Sequence, residues 1–201
     1  MTRNESMRCL IVKAHPLDAS FCQTLSDAAV EFLTAAGHEC RLVDLYQSNF
    51  APALTKRERQ SYYSNFDASA ITREIDDLLW AEAIVLVFPT WWFGFPAILK
   101  GWFDRVWAPG VAYDHAPDLG AIRPRLNDLR RVVGITTLGS PWWVDWLLLR
   151  QPVRRILKTA ILGTCAPKAA LTFLPFYKAE KLSQQDVQAA VARMKNVLRR
   201  I

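Results

Sequence analysis

Residues 84–107 read IVLVFPTWWFGFPAILKGWFDRVW and contain a strand, a loop and a helix in succession. Residues 83–88 are a continuous apolar run rich in branched side chains, which is typical of a strand buried on both faces of a parallel sheet. Pro89 cannot donate to a strand ladder, so we expect the strand to end there. From Pro96, whose missing N–H costs nothing in a first helical turn, apolar residues recur with helical spacing. This stretch predicts one β–α unit of an α/β protein.

The loop between that strand and helix carries four large aromatic side chains, those of Trp91, Trp92, Phe93 and Phe95. These rings are bulkier and more apolar than an ordinary surface turn requires. Ligands of open α/β sheets bind beyond the carboxyl ends of the strands, so the loop suggests a flat aromatic ligand. The residue types fit equally well with rings that plug the sheet edge or pack against another subunit.

The rest of the chain repeats the same alternation of strand and helix. Strands are predicted at residues 8–14, 39–45, 131–136 and 168–173, and helices at 21–36, 71–79, 142–162 and 184–198, with a short helix near 56–62. Ser20 is a predicted N-cap, with Gln23 completing a capping box, and Ser183 caps the last helix with Asp186. Right-handed crossovers then predict an α/β fold: a flavodoxin-like, doubly wound, five-stranded parallel sheet with helices on both faces. We expect one domain over residues 1–201.

Composition excludes several classes of protein. The 201 residues carry a formal net charge of +6, but they contain no zinc-finger spacing, RNA-reading signature or dense basic tract, which argues against nucleic-acid binding. The four cysteines show neither C-x-x-C pairing nor metal spacing, so we expect no metal site and a reducing cytoplasm. The first residues lack the apolar region of a signal peptide. No run approaches the roughly 20 apolar residues that a transmembrane helix needs.

Three segments are expected to meet at the carboxyl edge of the sheet, residues 15–20, 89–95 and 136–140. The first leads into a helix N-terminus, which attracts phosphate, and His15 and Ser20 add donors. Each also has a plain interpretation, His15 as a histidine bonded to a turn carbonyl and Ser20 as a helix cap. The third segment offers hydroxyls and amides, and together the three suit a ring with polar edges, such as an isoalloxazine. The chain lacks both G-x-G-x-x-G and G-x-x-x-x-G-K-S/T, which argues against a Rossmann dehydrogenase and a P-loop enzyme.

The chain resembles the NAD(P)H:quinone oxidoreductases of the DT-diaphorase type, within the flavodoxin-like group. The matching residues are His15, Ser20 and Phe21, then Phe88-Pro89 and WFGFPAILKGWFDRV (92–106) within the block 88–106, Ala112-Tyr113, Ile135-Thr136-Thr137 and Gly139-Ser140. The block at 88–106 is long and specific. The similarity is continuous from about residue 8 to 140 and weak beyond it.

The resemblance implies a flavin, usually FAD and in some bacterial members FMN, held in a homodimer with two active sites at the subunit boundary. It also implies ping-pong hydride transfer from NADH or NADPH through the flavin to a quinone or similar acceptor. The cofactor-binding residues that it implies are His15, Ser20, Phe21 and Cys22 at the phosphates, Pro89, Thr90, Trp91, Trp92 and Phe93 along the ring, and Thr136, Thr137, Leu138, Gly139 and Ser140 at its polar edge. The substrate-binding residues are Trp92, Tyr113 and Trp143.

The chain departs from the family pattern in three places. Cys22 replaces a usual asparagine and Leu138 a glycine. Residues 141–146 read PWWVDW, without the histidine thought to assist hydride transfer in animal members, so no catalytic acid or base is assigned. Trp142, Trp143 and Trp146 would cap the pocket or the dimer seam, unless they are ordinary helix core.

Two alternatives to the enzyme stay open. One is a regulatory flavoprotein subunit of a potassium-efflux type of membrane transporter. The apolar stretch 142–149 is compatible with it and with peripheral membrane association. The other is a flavodoxin-like electron carrier, which is less favoured because such carriers are usually strongly acidic and this chain is basic.

Overall fold

The computed structural model describes residues 6–116 and 120–201. The strands of its main sheet are β1 (Arg8–Lys13), β2 (Glu39–Asp44), β3 (Ala83–Pro89), β4 (Arg131–Leu138) and β5 (Ala170–Tyr177). This five-stranded sheet is parallel throughout, with the order β2-β1-β3-β4-β5, which confirms the predicted flavodoxin-like topology. Two short strands, Tyr113–Asp114 and Arg123–Pro124, pair with each other in an antiparallel fashion outside the sheet.

Helices cover both faces of the sheet. The α-helices are α1 (Phe21–Ala35), α2 (Lys56–Gln60), α3 (Thr72–Trp80), α4 (Ala97–Val106), α5 (Pro152–Arg155), α6 (Gly163–Cys165) and α7 (Gln184–Leu198). Val144–Leu148 and Ile156–Leu162 are π-helical, and Ala179–Lys181 is a 3₁₀ turn. Among the helices of the described residues, none has the length and hydropathy that a bilayer crossing requires.

Strand β3 divides the core into two apolar layers, because successive side chains point to opposite faces. Ile84, Leu86 and Phe88 lie in the layer packed by α3 and α4, whereas Val85 and Val87 lie in the layer packed by α1 and α7. All seven residues of β3 are buried. The continuous apolar run therefore has the physical cause that we expected, burial on both faces.

The predicted ends of two strands are wrong. Strand β4 continues to Leu138 and β5 to Tyr177, since Thr136, Thr137 and Leu138 pair with residues 175–177. Thr137 and Leu138 are therefore strand residues and not part of a loop. Strand β3 also includes Pro89, which pairs with Thr137.

Two local polar predictions also need correction. Ser20 accepts the Gln23 amide at 3.1 Å, but the Gln23 side chain bonds Lys13 and Asp27, so only half of the capping box forms. The apolar positions 71, 75, 78 and 79 predict that Asp77 faces water, but Asp77 is buried and lies 2.8 Å from Arg41. The capping box at Ser183 and Asp186 is confirmed.

A close approach of backbone to α4 explains Gly101. A Cβ there would overlap the carbonyl oxygen of Pro52, which belongs to the backbone and cannot rotate away as a side chain could. We expect Gly101→Ala to lower the free energy of unfolding by about 1–3 kcal/mol despite the better helix propensity of alanine. Urea unfolding measures this change. Gly163→Ala is the matched control, since its nearest contact would be 3.4 Å, and equal losses in both variants would contradict the explanation.

Candidate functional site

A cavity of about 250 Å³ lies at the carboxyl edge of the sheet, where all three predicted segments meet. Nine residues that the sequence predicted line it, together with two that it missed, Ala179 and Glu180. The predicted lining residues are His15, Phe21, Cys22, Pro89, Thr90, Trp91, Thr137, Leu138 and Gly139. The two missed residues follow β5, whose end the sequence placed too early.

The N-terminus of α1 forms one wall. Ser20 accepts the amide of Gln23 through its hydroxyl and the amide of Thr24 through its carbonyl, both at 3.1 Å. The two preceding amides of the first turn, those of Phe21 and Cys22, have no acceptor among the described residues. Ser20 is thus a helix cap, as its plain interpretation held, and it stands where the helix can also hold a phosphate.

His15 stands at the same wall. Its Nδ1 lies 3.1 Å from the amide of Leu17 and 3.3 Å from the carbonyl of the same residue. Accepting the shorter bond leaves the proton of the neutral ring on Nε2. In that tautomer the Nε2 of His15, a residue that lines the cavity, is a hydrogen-bond donor.

A buried lysine stands behind this wall. Lys13 is 2% exposed, and its ammonium group lies 2.6 Å from Asp44 and also bonds Gln23. It thereby ties the ends of β1 and β2 to the first turn of α1. The sequence did not single out Lys13, because a charged residue at the end of an apolar strand gives no sign of which partners the neighbouring strand and helix supply.

Cys22 connects the first and third segments. Its Sγ lies 3.6 Å from Thr137 Oγ1. Burial raises the pKa of the Cys22 thiol to about 11, because the hydrogen bond to Thr137 and the charge of Lys13 offset only part of the desolvation. At neutral pH this position therefore presents a neutral thiol to the cavity.

The alkylation profile of Cys22 tests this thiol. We expect the rate of iodoacetamide labelling of Cys22, followed by mass spectrometry of its peptide, to rise until about pH 11, because only the thiolate reacts. Labelling of the same peptide in urea is the control and should level off near the ordinary pKa of about 8.5. Coincident profiles in the folded and unfolded protein would contradict the assignment.

The aromatic segment makes a tight turn. The Gly94 amide donates to the Trp91 carbonyl at 2.9 Å, and Trp92 and Phe93 have φ angles of 50° and 54°. Left-handed backbone at two successive bulky residues costs about 1–3 kcal/mol each, and such strain concentrates at ligand sites. The turn places Trp91 in the cavity wall and leaves Trp92 100% exposed.

The third segment is bonded directly to the second. Thr90 donates its amide to the Thr137 carbonyl at 2.8 Å, and the hydroxyls of Thr90 and Thr136 lie 2.6 Å apart. The buried Ser140 hydroxyl has no partner among the described residues. At Gly139 the cavity is open, and a Cβ would come within 3.2 Å of Glu180 Oε1. The exposed backbone of Gly139, which lines the cavity, is suited to the polar edge of a ring.

Several predicted residues do not line the cavity. Ser20, Phe93, Thr136 and Ser140 flank it in the chain, and Trp92 points to solvent. Tyr113 bonds Tyr62 through their hydroxyls at 2.7 Å, beside a second cavity of about 500 Å³ that His115 lines. Trp143 is about half exposed. A single subunit therefore does not bring Tyr113 or Trp143 to the predicted cofactor residues.

Comparison with known proteins agrees with this arrangement. The chain is 40% identical over 108 residues to a protein named "Uncharacterized NAD(P)H oxidoreductase" from Haemophilus influenzae, which covers 53% of this chain and 54% of that protein. It is 34% identical over 152 residues to NAD(P)H dehydrogenase (quinone) 1 of Rattus norvegicus, covering 66% of this chain and 54% of that protein. The chain thus spans about half the length of these two curated relatives.

A solved structure named NAD(P)H:quinone oxidoreductase, from Methanothermobacter marburgensis, superposes with a TM-score of 0.80 at 28% identity and covers 96% of this chain and 95% of that chain. A family model described as having a flavodoxin-like fold matches residues 7–200. The predicted resemblance is confirmed: the chain belongs to the flavodoxin-like fold family and is similar there to proteins named as NAD(P)H quinone oxidoreductases.

Proposed function

We propose that this protein is a single-domain, flavin-dependent NAD(P)H oxidoreductase that reduces a quinone or similar acceptor. The observation that carries the proposal is the cavity in which the N-terminus of α1, the aromatic turn at Trp91 and the open backbone at Gly139 face each other. The cavity residues would hold a flavin, which would supply the chemistry of ping-pong hydride transfer between NAD(P)H and the acceptor. The names of the relatives support this activity, and they give no support to the transporter-subunit alternative.

Different residues of the chain would hold different parts of the flavin. The free amides of Phe21 and Cys22, with Nε2 of His15, would hold a phosphate. Pro89, Thr90 and Trp91 would line the ring. The amide of Gly139 would donate to the polar edge of the ring, where fixed donors stabilise negative charge without reorganisation.

The substrate side of the pocket is proposed to lie at a subunit boundary. Trp92 is fully exposed, and neither Tyr113 nor Trp143 reaches the cavity of its own subunit. A homodimer that brings such residues of one copy over the cavity of the other would complete the pocket. Light scattering of the purified protein tests this, and a monomer at all concentrations would contradict it.

The nature of the cofactor is tested most directly on purified protein. We expect a bound yellow chromophore whose mass identifies FAD, or FMN as the alternative, and whose absorbance bleaches when NADPH or NADH is added without oxygen. Adding a quinone should restore the colour. A protein that binds neither flavin after reconstitution, or a bound flavin that neither nucleotide bleaches, would contradict the proposed function. The electron-carrier alternative predicts little turnover of quinone by the isolated protein.

We also propose a cytoplasmic location, as the cysteine pattern predicts.

A further inference from the structure

A group of exposed apolar and basic side chains follows β4 in the chain, and none of them lines the cavity. Its apolar part consists of five large side chains that are all exposed, with Leu147 and Leu148 at 62% and 65%. Its basic part consists of four exposed cations. The complete set, here called the basic-apolar surface, is Trp146, Leu147, Leu148, Leu149, Arg150, Arg154, Arg155, Ile156 and Lys158. Exposed apolar side chains in such a concentration mark an interaction site rather than ordinary surface.

The charge of the whole chain is concentrated in the same region. Residues 142–178 hold six of the 25 lysines and arginines but only one of the 19 acidic residues, Asp145. This region therefore accounts for five of the six units of net positive charge. The remainder of the chain is close to neutral, and four of the six cations of this region belong to the basic-apolar surface.

The acidic residue of this region, Asp145, is buried and is not exposed on the basic-apolar surface. Asp145 is 5% exposed, and its carboxylate accepts the hydroxyl of Tyr177 at 2.8 Å. Its carbonyl also accepts the Gln151 amide at 2.8 Å. Beneath the surface, Val153 and Leu157 are buried in the core. The segment is thus anchored from the inside, and the exposed leucines and arginines are not the result of a loosely packed loop.

We propose that the basic-apolar surface docks the protein onto an anionic lipid bilayer. Tryptophan and leucine inserted at the headgroup boundary, surrounded by arginine and lysine, are the composition that holds a protein in the plane of such a surface. Each cation near anionic lipid adds to the attraction, and long basic side chains bury their stems while their charges stay in water.

A second copy of this chain is a poorer occupant of the same surface. Around a two-fold axis, the same patch meets itself, so the four cations would face four cations with no acid of the patch to offset them. An anionic bilayer supplies the opposite charge together with an apolar interior. Docking would bring the proposed active site to acceptors dissolved in the bilayer, a consequence that rests on the proposed function, whereas the docking itself does not.

Sedimentation with lipid vesicles tests the docking. The intact protein should bind vesicles of phosphatidylglycerol and phosphatidylcholine and should bind pure phosphatidylcholine at least about tenfold more weakly. Binding should weaken as salt rises from about 0.1 M to about 0.5 M, since the attraction is screened. Failure of the intact protein to bind the anionic vesicles, or binding that does not depend on lipid charge and salt, would overturn the proposal.

Paired variants locate the surface. Leu147→Ser with Leu148→Ser, and Arg154→Glu with Arg155→Glu, should each reduce vesicle binding by more than about tenfold. The matched controls are Leu79→Ser, another exposed leucine, and Arg199→Glu with Arg200→Glu, and both should retain binding. Equal losses in the controls would overturn the proposal, as would a leucine variant that loses oligomeric mass in light scattering while vesicle binding is unchanged. Flavin content and bleaching by NADPH, measured on the same samples, report separately on the proposed function.

Discussion

Replacing Gly139 with valine is expected to weaken flavin binding by about ten- to a hundredfold. The branched side chain would occupy the opening of the cavity, where even a Cβ comes within 3.2 Å of Glu180 Oε1. Overpacking of this kind costs about 1–3 kcal/mol, and each 1.4 kcal/mol is about a tenfold change in affinity. Fluorescence titration of the cofactor-free protein with FMN and with FAD measures the loss, and NADPH-dependent quinone reduction should fall with flavin occupancy.

Two controls make the Gly139 result specific. Gly139→Ala adds a single methyl group beside the flexible side chain of Glu180, so we expect a much smaller loss of affinity. Unfolding by urea should be little changed in both variants, since the substitutions fill a cavity and remove no core contact. If Gly139→Val binds flavin as tightly as the natural protein, the polar edge of the ring does not lie at residues 137–140.

Replacing Arg105 with leucine is expected to lower the free energy of unfolding by about 3–5 kcal/mol. Arg105 is 3% exposed, and its guanidinium donates to Glu58 at 2.6 Å and to the carbonyl of Ala51. The substitution leaves the carboxylate of Glu58 buried without its cation, which is the costly way to break such a pair. Urea unfolding measures the loss.

The pH dependence of that loss identifies its cause. Burial alone would raise the pKa of Glu58, but the hydrogen bonds from Arg105 and Thr55 outweigh it, so the pKa lies below its ordinary value. A lowered pKa in the folded state contributes stability that is complete above the unfolded pKa of about 4.3 and is lost as pH falls through the folded pKa. The difference between the natural protein and Arg105→Leu should therefore shrink in acid.

Variants of the same helix provide the control. Lys100 pairs with Asp104 on the exposed side of α4, and Lys100→Ala should cost less than about 1 kcal/mol. Replacing both Arg105 and Glu58 with leucine should recover part of the loss, because no buried charge then remains. A loss in Arg105→Leu that is independent of pH and is not reduced in the double variant would indicate lost packing instead.

Much of the candidate site could be predicted because its parts are local in the sequence. The aromatic turn and the cap at Ser20 each follow a recognisable strand, and the hydroxyls at 136–140 lie at the end of another. Parallel strands place their carboxyl ends at one edge, so the meeting of these segments follows from topology. Glu180 could not be predicted, since its place in the cavity depends on where β5 ends. Nothing in the local pattern around residue 173 shows that the strand continues to Tyr177.

The sequence by itself determined the order of the strands and the segments that bound the cavity, because hydrophobic period and turn chemistry act over a few neighbouring residues. Only the tertiary structure decided which polar groups are satisfied and which are left free. Lys13 bonds Asp44 and Gln23, and Arg105 bonds Glu58. These partners lie too far apart in the sequence for a local pattern to predict the pairing. The physical reason is that burial and pairing depend on what packs from other elements, whereas strand and helix formation depend mainly on the residues within each element.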